Sequence, residues 1–422
     1  MSMLPLIIGS WYNGFIMRLS QTFIKTLREA PKDETARNGA LLVRAGYIHK
    51  EMAGVYDYLP LGLRVIENIK GIIREELNKL GCEEISMSAL QNPEPWEKTG
   101  RFSDQEVDIW FKTEVSSGGE LGLAPTHEEP ITNMLKSYIT SYKDLPLYVY
   151  QFQTKFRNEL RAKSGILRGR EFLMKDLYSF HTSEEDLDKF YAEVEKAYKR
   201  IFERLGIGGD TYETFASGGI FSKYSHEYQT FLPVGEDTVY YNNDKSVVLN
   251  DEVLNEETLN DLGVKREDLT ATTAAEVGNI FKLKTKYSEP LGLKFADQNN
   301  ELKTVYMGCY GIGVSRVMGV IAEKFADDKG LVWPESIAPY KYHLVSIGEK
   351  GTAAAEEFYA AHPGEVLFDD RDIRPGEKFA DAELMGLPYR VVISDRTLAN
   401  ESAEITERAT GETRVVKLAD LK

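Results

Sequence analysis

An α+β architecture, an antiparallel sheet flanked by helices and followed by a compact α/β domain, is predicted by three features of the chain. Two aromatic and β-branched runs, PLYVYQFQTKF (146–156) and REFLMKDLYSF (170–180), bracket a short basic loop and read as antiparallel partners. Helical periodicity precedes and follows that pair. Beyond WPESIAPYK (333–341), a proline-bearing linker, strand and helix patterns alternate at short spacing, the pattern of a layered α/β unit. The 422 residues accommodate two to three domains. The expected divisions are an extension over 1–16, a first domain over 17–335 and a second over 340–422.

In chain order, residues 61–80 place Leu63, Ile66, Ile69, Ile73, Leu77 and Leu80 at helical spacing, with Gly81 as the stop. CEEISMSAL (82–90) reads as a short strand, and the two bracketing runs supply the hairpin. A long helix is expected from Thr182, with Glu185 completing a capping box. Its apolar face is Leu187, Phe190, Tyr191, Val194, Tyr198, Ile201, Phe202 and Leu205. Residues 243–275 are polar and acidic and read as a small surface excursion with short helices. TVYMGCY (304–310) is a strand feeding a helix that carries Val314, Val317, Met318, Ile321 and Phe325 on one face. The last segment reads as strand HLVSI, helix TAAAEEFYAA, strand EVLFD, a helix near 376–386, strand YRVVIS and two short strands.

Composition narrows the function classes. Hydrophobic residues make up 42% and charged residues 28%, enough apolar surface to bury a core and too much for a disordered chain. The net charge of −16 excludes a protein that coats nucleic acid indiscriminately, while a local basic patch remains compatible with a specific RNA partner. Two cysteines, Cys82 and Cys309, form no CxxC pair, so neither a disulfide framework nor a cysteine zinc site is expected, and a reducing cytoplasm is. The opening MSMLPLIIGSWYNGFI is apolar but too short to span a bilayer. It lacks the basic start and cleavage site of a signal peptide, and is expected to be a non-native start ahead of Met17.

Four stretches carry chemistry. In KFRNELRAKSGILRGREFLMKD (155–176), six basic residues run from Lys155 to Arg170. A solvated hairpin explains most such runs. Here Arg157 and Glu159 share one side of a strand end that should be buried, and an arginine fork there suits a phosphate or carboxylate. Phe172 offers a flat apolar surface to a base. In YMGCYGIGVSR (306–316), glycines 308, 311 and 313 permit close strand–helix packing or close approach of a nucleotide. The third glycine of a dinucleotide fingerprint and the lysine of a P-loop are absent. Arg316, one turn into the helix, favours the nucleotide reading. In LAPTHEEP (123–130), Thr126 and Glu128 could hold an ammonium group, with His127 on the opposite side, or the segment is a helix N-cap. SGGIFSKYSHEYQ (217–229) sets Ser225, His226 and Glu227 side by side without a GxSxG elbow, so no hydrolase is implied. A lone histidine in such a strand is usually a core residue.

Taken in order, AGVYDYLPLGLRV, APTHEEPIT, YQFQTKFRNE, LRGREFLMKDLYSF, EVGNIFKLKTKYSEPLG, MGCYGIGVSR and DDRDIRPGEKFADAELMGLPYR resemble the bacterial-type prolyl-tRNA synthetases, from about Met17 to the C-terminus. The resemblance implies a class II catalytic sheet, an α/β anticodon-binding domain and a homodimer. It implies ATP-dependent activation of L-proline and its transfer to tRNA(Pro), with Mg²⁺ accompanying ATP and no zinc. KFRNE is similar to class II motif 2: Arg157 is then expected to bridge the proline carboxylate and the ATP α-phosphate, Glu159 to meet the adenine amino group and Phe172 to stack on the base. GIGVSR is similar to motif 3, with Arg316 expected on the γ-phosphate and Gly313 and Arg168 also on the ATP side. Thr126, Glu128 and His226 match the proline pocket, and Lys378 is expected to contact the anticodon.

Three departures stand out. Ser88 occupies the place of a proline that ends motif 1, so a softer dimer interface is expected. RAKSG replaces an RPRFG-like motif 2 loop, so acceptor-end contacts should differ. The editing insertion found between motifs 2 and 3 in many bacterial members is missing, with only 243–275 in its place. Rival readings are a synthetase for another amino acid, a non-catalytic paralogue, which would typically lose the arginines, and a free-standing editing protein, which would not need both motifs.

Overall fold

The computed structural model describes residues 17–160, 162, 164–217 and 224–421. The expected extension at 1–16, part of the basic loop (Arg161 and Lys163) and residues 218–223 lie outside the described residues.

A nine-stranded sheet organises the first part of the chain. Its strand order is Tyr224–Phe231, Thr211–Ser217, Val248–Asn250, Asp237–Tyr241, Thr270–Lys284, Tyr306–Gly313, Glu171–His181, Leu147–Phe156 and Glu83–Glu84. The central ladder is antiparallel, and the basic hairpin takes the expected register, with Leu147 opposite Phe180 and Phe156 opposite Glu171. Tyr224–Phe231 pairs with both Thr211–Ser217 and Thr270–Lys284, so the first five strands form a closed cycle of pairings.

One face of the sheet is covered by helices Pro60–Lys79, Glu184–Arg204 and Val314–Phe325, whose apolar residues merge into the largest core. On Glu184–Arg204, all eight residues predicted for the apolar face are buried. The cap differs by one residue: Ser183, not Thr182, is the N-cap, and its hydroxyl accepts from the Asp186 amide. On Pro60–Lys79 the inward stripe is Leu61, Val65, Ile66, Ile69, Ile72 and Ile73, whereas Leu63 is 39% exposed. At about 100° per residue, Leu63 lies well off the direction of Ile69.

The expected excursion is shorter than 243–275. It holds strand Val248–Asn250 and helix Glu256–Leu262, but the 15-residue strand Thr270–Lys284 begins inside it. Polarity concealed that strand. Its first residues are threonines and alanines, and the small side chains of Ala274 and Ala275 are buried where Gly235 packs against the Ala274 backbone.

A second sheet of six strands has the order Met17–Arg18, Val366–Asp369, Tyr342–Ile347, Tyr389–Ser394, Ser402–Glu407 and Thr413–Lys417. The first four are parallel and the last two antiparallel, with helices Glu349–Ala361 and Pro375–Met385 as connections. Met17 and Arg18 therefore belong to the sheet at the far end of the chain rather than to the first one. Arg18 also forms a bidentate pair with Glu356, at 2.7 and 2.5 Å. The proline-bearing linker is packed: Trp333 and Ile337 are buried, and the Tyr47 hydroxyl donates to the Met385 carbonyl at 2.8 Å.

Candidate active site

Strand alternation builds the floor of the site on the face opposite the large core. Lys155 lies opposite Phe172, Gln153 opposite Met174 and Gln151 opposite Asp176. Across the return strand, Met174 faces Gly313 and Asp176 faces Gly311, which faces Asn279. Directly opposed residues share a face of the sheet. Lys155, Phe172, Met174, Asp176 and Asn279 thus form one surface, while Lys175 points into the core, where its ammonium donates to the Tyr198 hydroxyl and the Tyr310 carbonyl. Glycine at 311 leaves room for its neighbours: a Cβ there would stand 2.6 Å from Met174 Cε and 2.8 Å from Asn279 Oδ1, and both side chains would have to shift.

Two cavities open on this floor, and Arg157 lines both. The first is bordered by Glu159, Arg168, Phe172, Glu276, Gly313 and Arg316. The Arg157 guanidinium carbon lies 5.2 Å from the centre of the Phe172 ring. Arg316, in the first turn of its helix, donates to the Leu167 carbonyl at 2.7 Å and the Glu276 carbonyl at 2.8 Å. Burial, and then the charge of Arg316, pull the Arg157 pKa below its ordinary value. Two guanidiniums kept together in a cleft form a receptor for an anion, whose arrival relieves their repulsion. Arg168 holds the Glu159 carboxylate at 3.0 Å, fixing an acceptor at the cavity edge.

The second cavity, about 310 Å³, is lined by Thr126, Glu128, Lys155, Asp176 and Cys309, among others. Glu128 opens helix Glu128–Leu135, with His127 at the N-cap position but no side-chain capping bond, and the Glu128 carboxylate lines the cavity. The Thr126 hydroxyl donates to one Glu128 oxygen and the Cys309 thiol to the other at 3.2 Å. Lys155, 1% exposed, donates to Asp176 and to His127 Nδ1. With Nδ1 accepting, the imidazole proton sits on Nε2, which meets the Ser88 carbonyl at 3.0 Å. Burial, and then the neighbouring ammonium, lower the His127 pKa to about 4, so the ring is neutral at physiological pH.

Thr126, Glu128, Arg157, Glu159, Arg168, Phe172, Gly313 and Arg316 are thus brought together; His226 and Lys378 are not. His226 faces the helical side of the sheet, where its Nδ1 meets the Tyr191 hydroxyl at 2.9 Å. Glu195 and Glu213 lie 3.6 and 3.9 Å from the same nitrogen, and Glu213 is paired with Lys199 at 3.0 Å. The next residue, Glu227, stands opposite Asn279 and on the site's face. Its pKa is pushed up to about 7 by burial and by the charge of Glu276. Side chains alternate along a strand with a period of two, so these neighbours take opposite faces of the sheet.

Lys378 is 5% exposed, and its ammonium donates to the Asp369 carbonyl at 3.0 Å, bracing the end of strand Val366–Asp369. Beside it, Arg371 bridges Asp369 and Asp381. A lysine so placed does not present its charge to a polyanion. Lys378→Ala is expected to destabilise the protein by about 1–3 kcal/mol through the orphaned carbonyl and lost packing. It should leave RNA affinity within about twofold. Thermal melting and a filter-binding titration with tRNA check the two halves.

Sequence reading missed Lys155, Asp176, Glu227, Glu276 and Asn279. Strand parity relative to Arg157 and Phe172 was the available signal for Lys155 and Asp176. The other three lie on strands whose partners the sequence does not declare.

Comparison with known proteins bears on the chemistry. Residues 111–325 match the family described as tRNA synthetase class II core domain (G, H, P, S and T), and residues 345–422 match the anticodon binding domain. A proline–tRNA ligase of Wolbachia pipientis wMel is 37% identical, over 96% of this chain and 98% of its own length. One from Ehrlichia chaffeensis is 38% identical, over 93% and 96% respectively. In fold, the chain is similar to the Giardia lamblia prolyl-tRNA synthetase solved with prolyl-adenylate, with a TM-score of 0.73 at 21% identity, over 90% of this chain and 74% of that one. It is similar too to the Cryptosporidium parvum prolyl-tRNA synthetase solved with halofuginone and AMPPNP, with a TM-score of 0.74 at 18% identity and the same coverage.

Proposed function

Because the chain belongs to the proline–tRNA ligases, class II synthetases with an anticodon-binding domain, we propose that the two cavities meeting at Arg157 are the ATP and proline halves of one adenylate-forming site. The activity is ligation of proline to tRNA(Pro) at the expense of ATP. The observation that carries the site assignment is the position of Arg157, whose guanidinium is shared by both cavities.

The chemistry follows from charge. A proline carboxylate oxygen attacks the α-phosphorus, the bond from that phosphorus to the bridging oxygen breaks, and pyrophosphate departs. Two anions must approach each other for this, and Arg157 offers a donor fork to both while stabilising charge that develops on the phosphate. Arg316 takes the far end of the triphosphate, and Phe172 and Glu159 take the base. The carboxylate is itself the nucleophile, so no general base is needed in this step. In the second step the terminal ribose hydroxyl of tRNA attacks the acyl carbon, AMP leaves, and the hydroxyl proton is lost.

On the proline side, Glu128 and Thr126 receive the ring's secondary ammonium. The Glu128 oxygens accept from the uncharged Thr126 hydroxyl and Cys309 thiol, and the nearby Arg101 is paired with Glu129 at 2.8 Å, which leaves the Glu128 charge for the substrate. Glu276 and Glu227, whose mutual repulsion a divalent cation would relieve, are the hard oxygen donors that would hold the Mg²⁺ accompanying ATP, where it would offset polyphosphate charge. A homodimer is supported by the segment 83–91, which carries the edge strand Glu83–Glu84 and ends near Leu90, 54% exposed. A reducing cytoplasmic setting is supported by two buried, unbridged cysteines. Among the described residues, no helix is long and apolar enough to cross a membrane.

The test is amino-acid-dependent exchange of pyrophosphate into ATP across a panel of amino acids, beside Glu128→Gln. Proline should be the preferred substrate. The variant should raise KM for proline by roughly 10- to 100-fold, the loss of one charge-assisted contact, with KM for ATP unchanged. An unchanged KM for proline would remove Glu128 from the site.

A further inference from the structure

We propose that Lys155 is a positioning residue that sets the charge of the proline pocket: by pairing with Asp176 it leaves Glu128 as the single carboxylate facing the substrate's amine. The proposal rests on the preceding reading of the second cavity.

That cavity contains two carboxylates, Glu128 and Asp176, and a zwitterionic amino acid brings only one ammonium. Unpaired, Asp176 would compete with Glu128 for that ammonium and shift the bound substrate so that its carboxylate no longer meets Arg157. Lys155 removes the competition. Its ammonium is buried between Asp176 and His127 and spends a donor on each. Gln151 donates to the same Asp176 oxygen at 3.2 Å, so that carboxylate is engaged on two sides. His127 is neutral and adds no charge. With Arg157 excluded, and with the Arg101 guanidinium at the cavity wall answered by Glu129 at 2.8 Å, the remaining charges sum to one negative charge from Glu128, and Arg157 then supplies one positive charge for the substrate's carboxylate. The result is a dipole complementary to a zwitterion.

The network also fixes the pocket wall. The His127 Nε2–H donates to the Ser88 carbonyl, Gln151 accepts from the Met87 amide at 3.1 Å, and Gln153 donates to the Met87 carbonyl. The segment that replaces the end of motif 1 is therefore tied to the floor beneath the substrate through the same side chains. A purely structural reading is disfavoured by energetics. A buried ion pair is a weak stabiliser, and apolar replacement of both partners is often neutral or better. Fixing one ammonium in this position makes sense through what it does to the neighbouring charges.

The experiment is a double-mutant cycle on the full-length enzyme with Lys155→Met, Asp176→Asn and the pair together, read as kcat, KM for proline and KM for ATP in pyrophosphate exchange. Each single variant leaves one uncompensated charge and should raise KM for proline by roughly 10-fold or more. The double variant removes both charges and should recover to within about threefold of wild type. KM for ATP should stay constant in all three. Defects that multiply in the double variant would overturn the proposal. Should Lys155→Met fail to fold, the isosteric Asp176→Asn decides alone, and an unchanged KM for proline would overturn it. Glu128→Gln separates the two readings. If it leaves KM for proline unmoved, the cavity assignment fails. If it raises KM while the Lys155–Asp176 cycle is additive, only the charge-setting role fails.

Discussion

Arg157→Ala is expected to reduce proline-dependent pyrophosphate exchange by roughly 10³-fold or more while the protein retains its fold. The magnitude follows from the two jobs the side chain performs at once. It orients the nucleophile, and it stabilises the charge that appears as the α-phosphorus is attacked, so its loss acts on the transition state more than on either ground-state complex. The structure supports survival of the fold. Arg157 is half-buried, its guanidinium makes a long hydrogen bond from Nε to the Pro125 carbonyl at 3.4 Å and lies over the Phe172 ring, and its charge is repelled by that of Arg316. Arg157→Lys restores a charge but not a planar fork, and should recover only a small part of the rate. Exchange kinetics together with a thermal melt separate the outcomes. A variant that melts normally and still exchanges pyrophosphate at near wild-type rate would mean that the two cavities do not share this residue in catalysis.

Alanine is expected to be attached to tRNA(Pro) and to remain there. The second cavity, at about 310 Å³, is large enough to admit a smaller amino acid with the same zwitterionic contacts. Each missing methylene is worth only about 1–3 kcal/mol, and alanine lacks two of proline's ring carbons, so binding alone discriminates by roughly 10²- to 10⁴-fold, at or below the roughly 10⁴–10⁵ that accurate charging needs. Correction would need a second, hydrolytic site. Where an editing insertion would stand, between the hairpin and Tyr306–Gly313, the chain instead completes the closed cycle of five short and long strands, with helix Glu256–Leu262 on its edge. The small clusters there, Val239, Val248 and Ala274 in one and Leu249, Val253 and Leu259 in the other, are filled with side chains. Incubating alanyl-tRNA(Pro) with the pure enzyme should give deacylation no faster than the uncatalysed rate. Rapid release of alanine would place an editing site in this chain.

The sequence was most legible where a single periodicity decided the answer. Glu184–Arg204 shows its whole apolar face in its spacing, because each predicted residue faces one continuous core. The hairpin of Leu147–Phe156 and Glu171–His181 was readable for a different reason: bulky β-branched and aromatic residues bracket a short loop, which leaves few pairings open. Thr270–Lys284 was not readable as a strand, since its first residues are small and polar and its partners arrive from strands elsewhere in the sequence. In the site, Arg157 and Arg316 stood out because a charge at the end of a buried element is unusual. Lys155 did not, because within a basic run it resembles a solvated residue; its parity with Arg157 was the one hint, and its burial between Asp176 and His127 marks it out. His226 and Glu227 differ by one position, and choosing between them required knowing which strand lay alongside. Lys378 sits in a motif rich in charge, whose charges turn out to brace one another.

The two-residue strand Met17–Arg18 has a consequence for how the molecule is made. Its partner, Leu367–Phe368, is encoded some 350 positions later, and the salt link to Glu356 and the bonds from Ser20 to Asp370 span the same distance. On a ribosome, where chains emerge at about 5–20 residues per second and segments fold as they appear, the first sheet can be assembled well before this closing strand has anything to pair with. The earliest residues described are then among the last to find their place, and a polypeptide cut short before Val366 would carry a loose end that the finished one has stitched down.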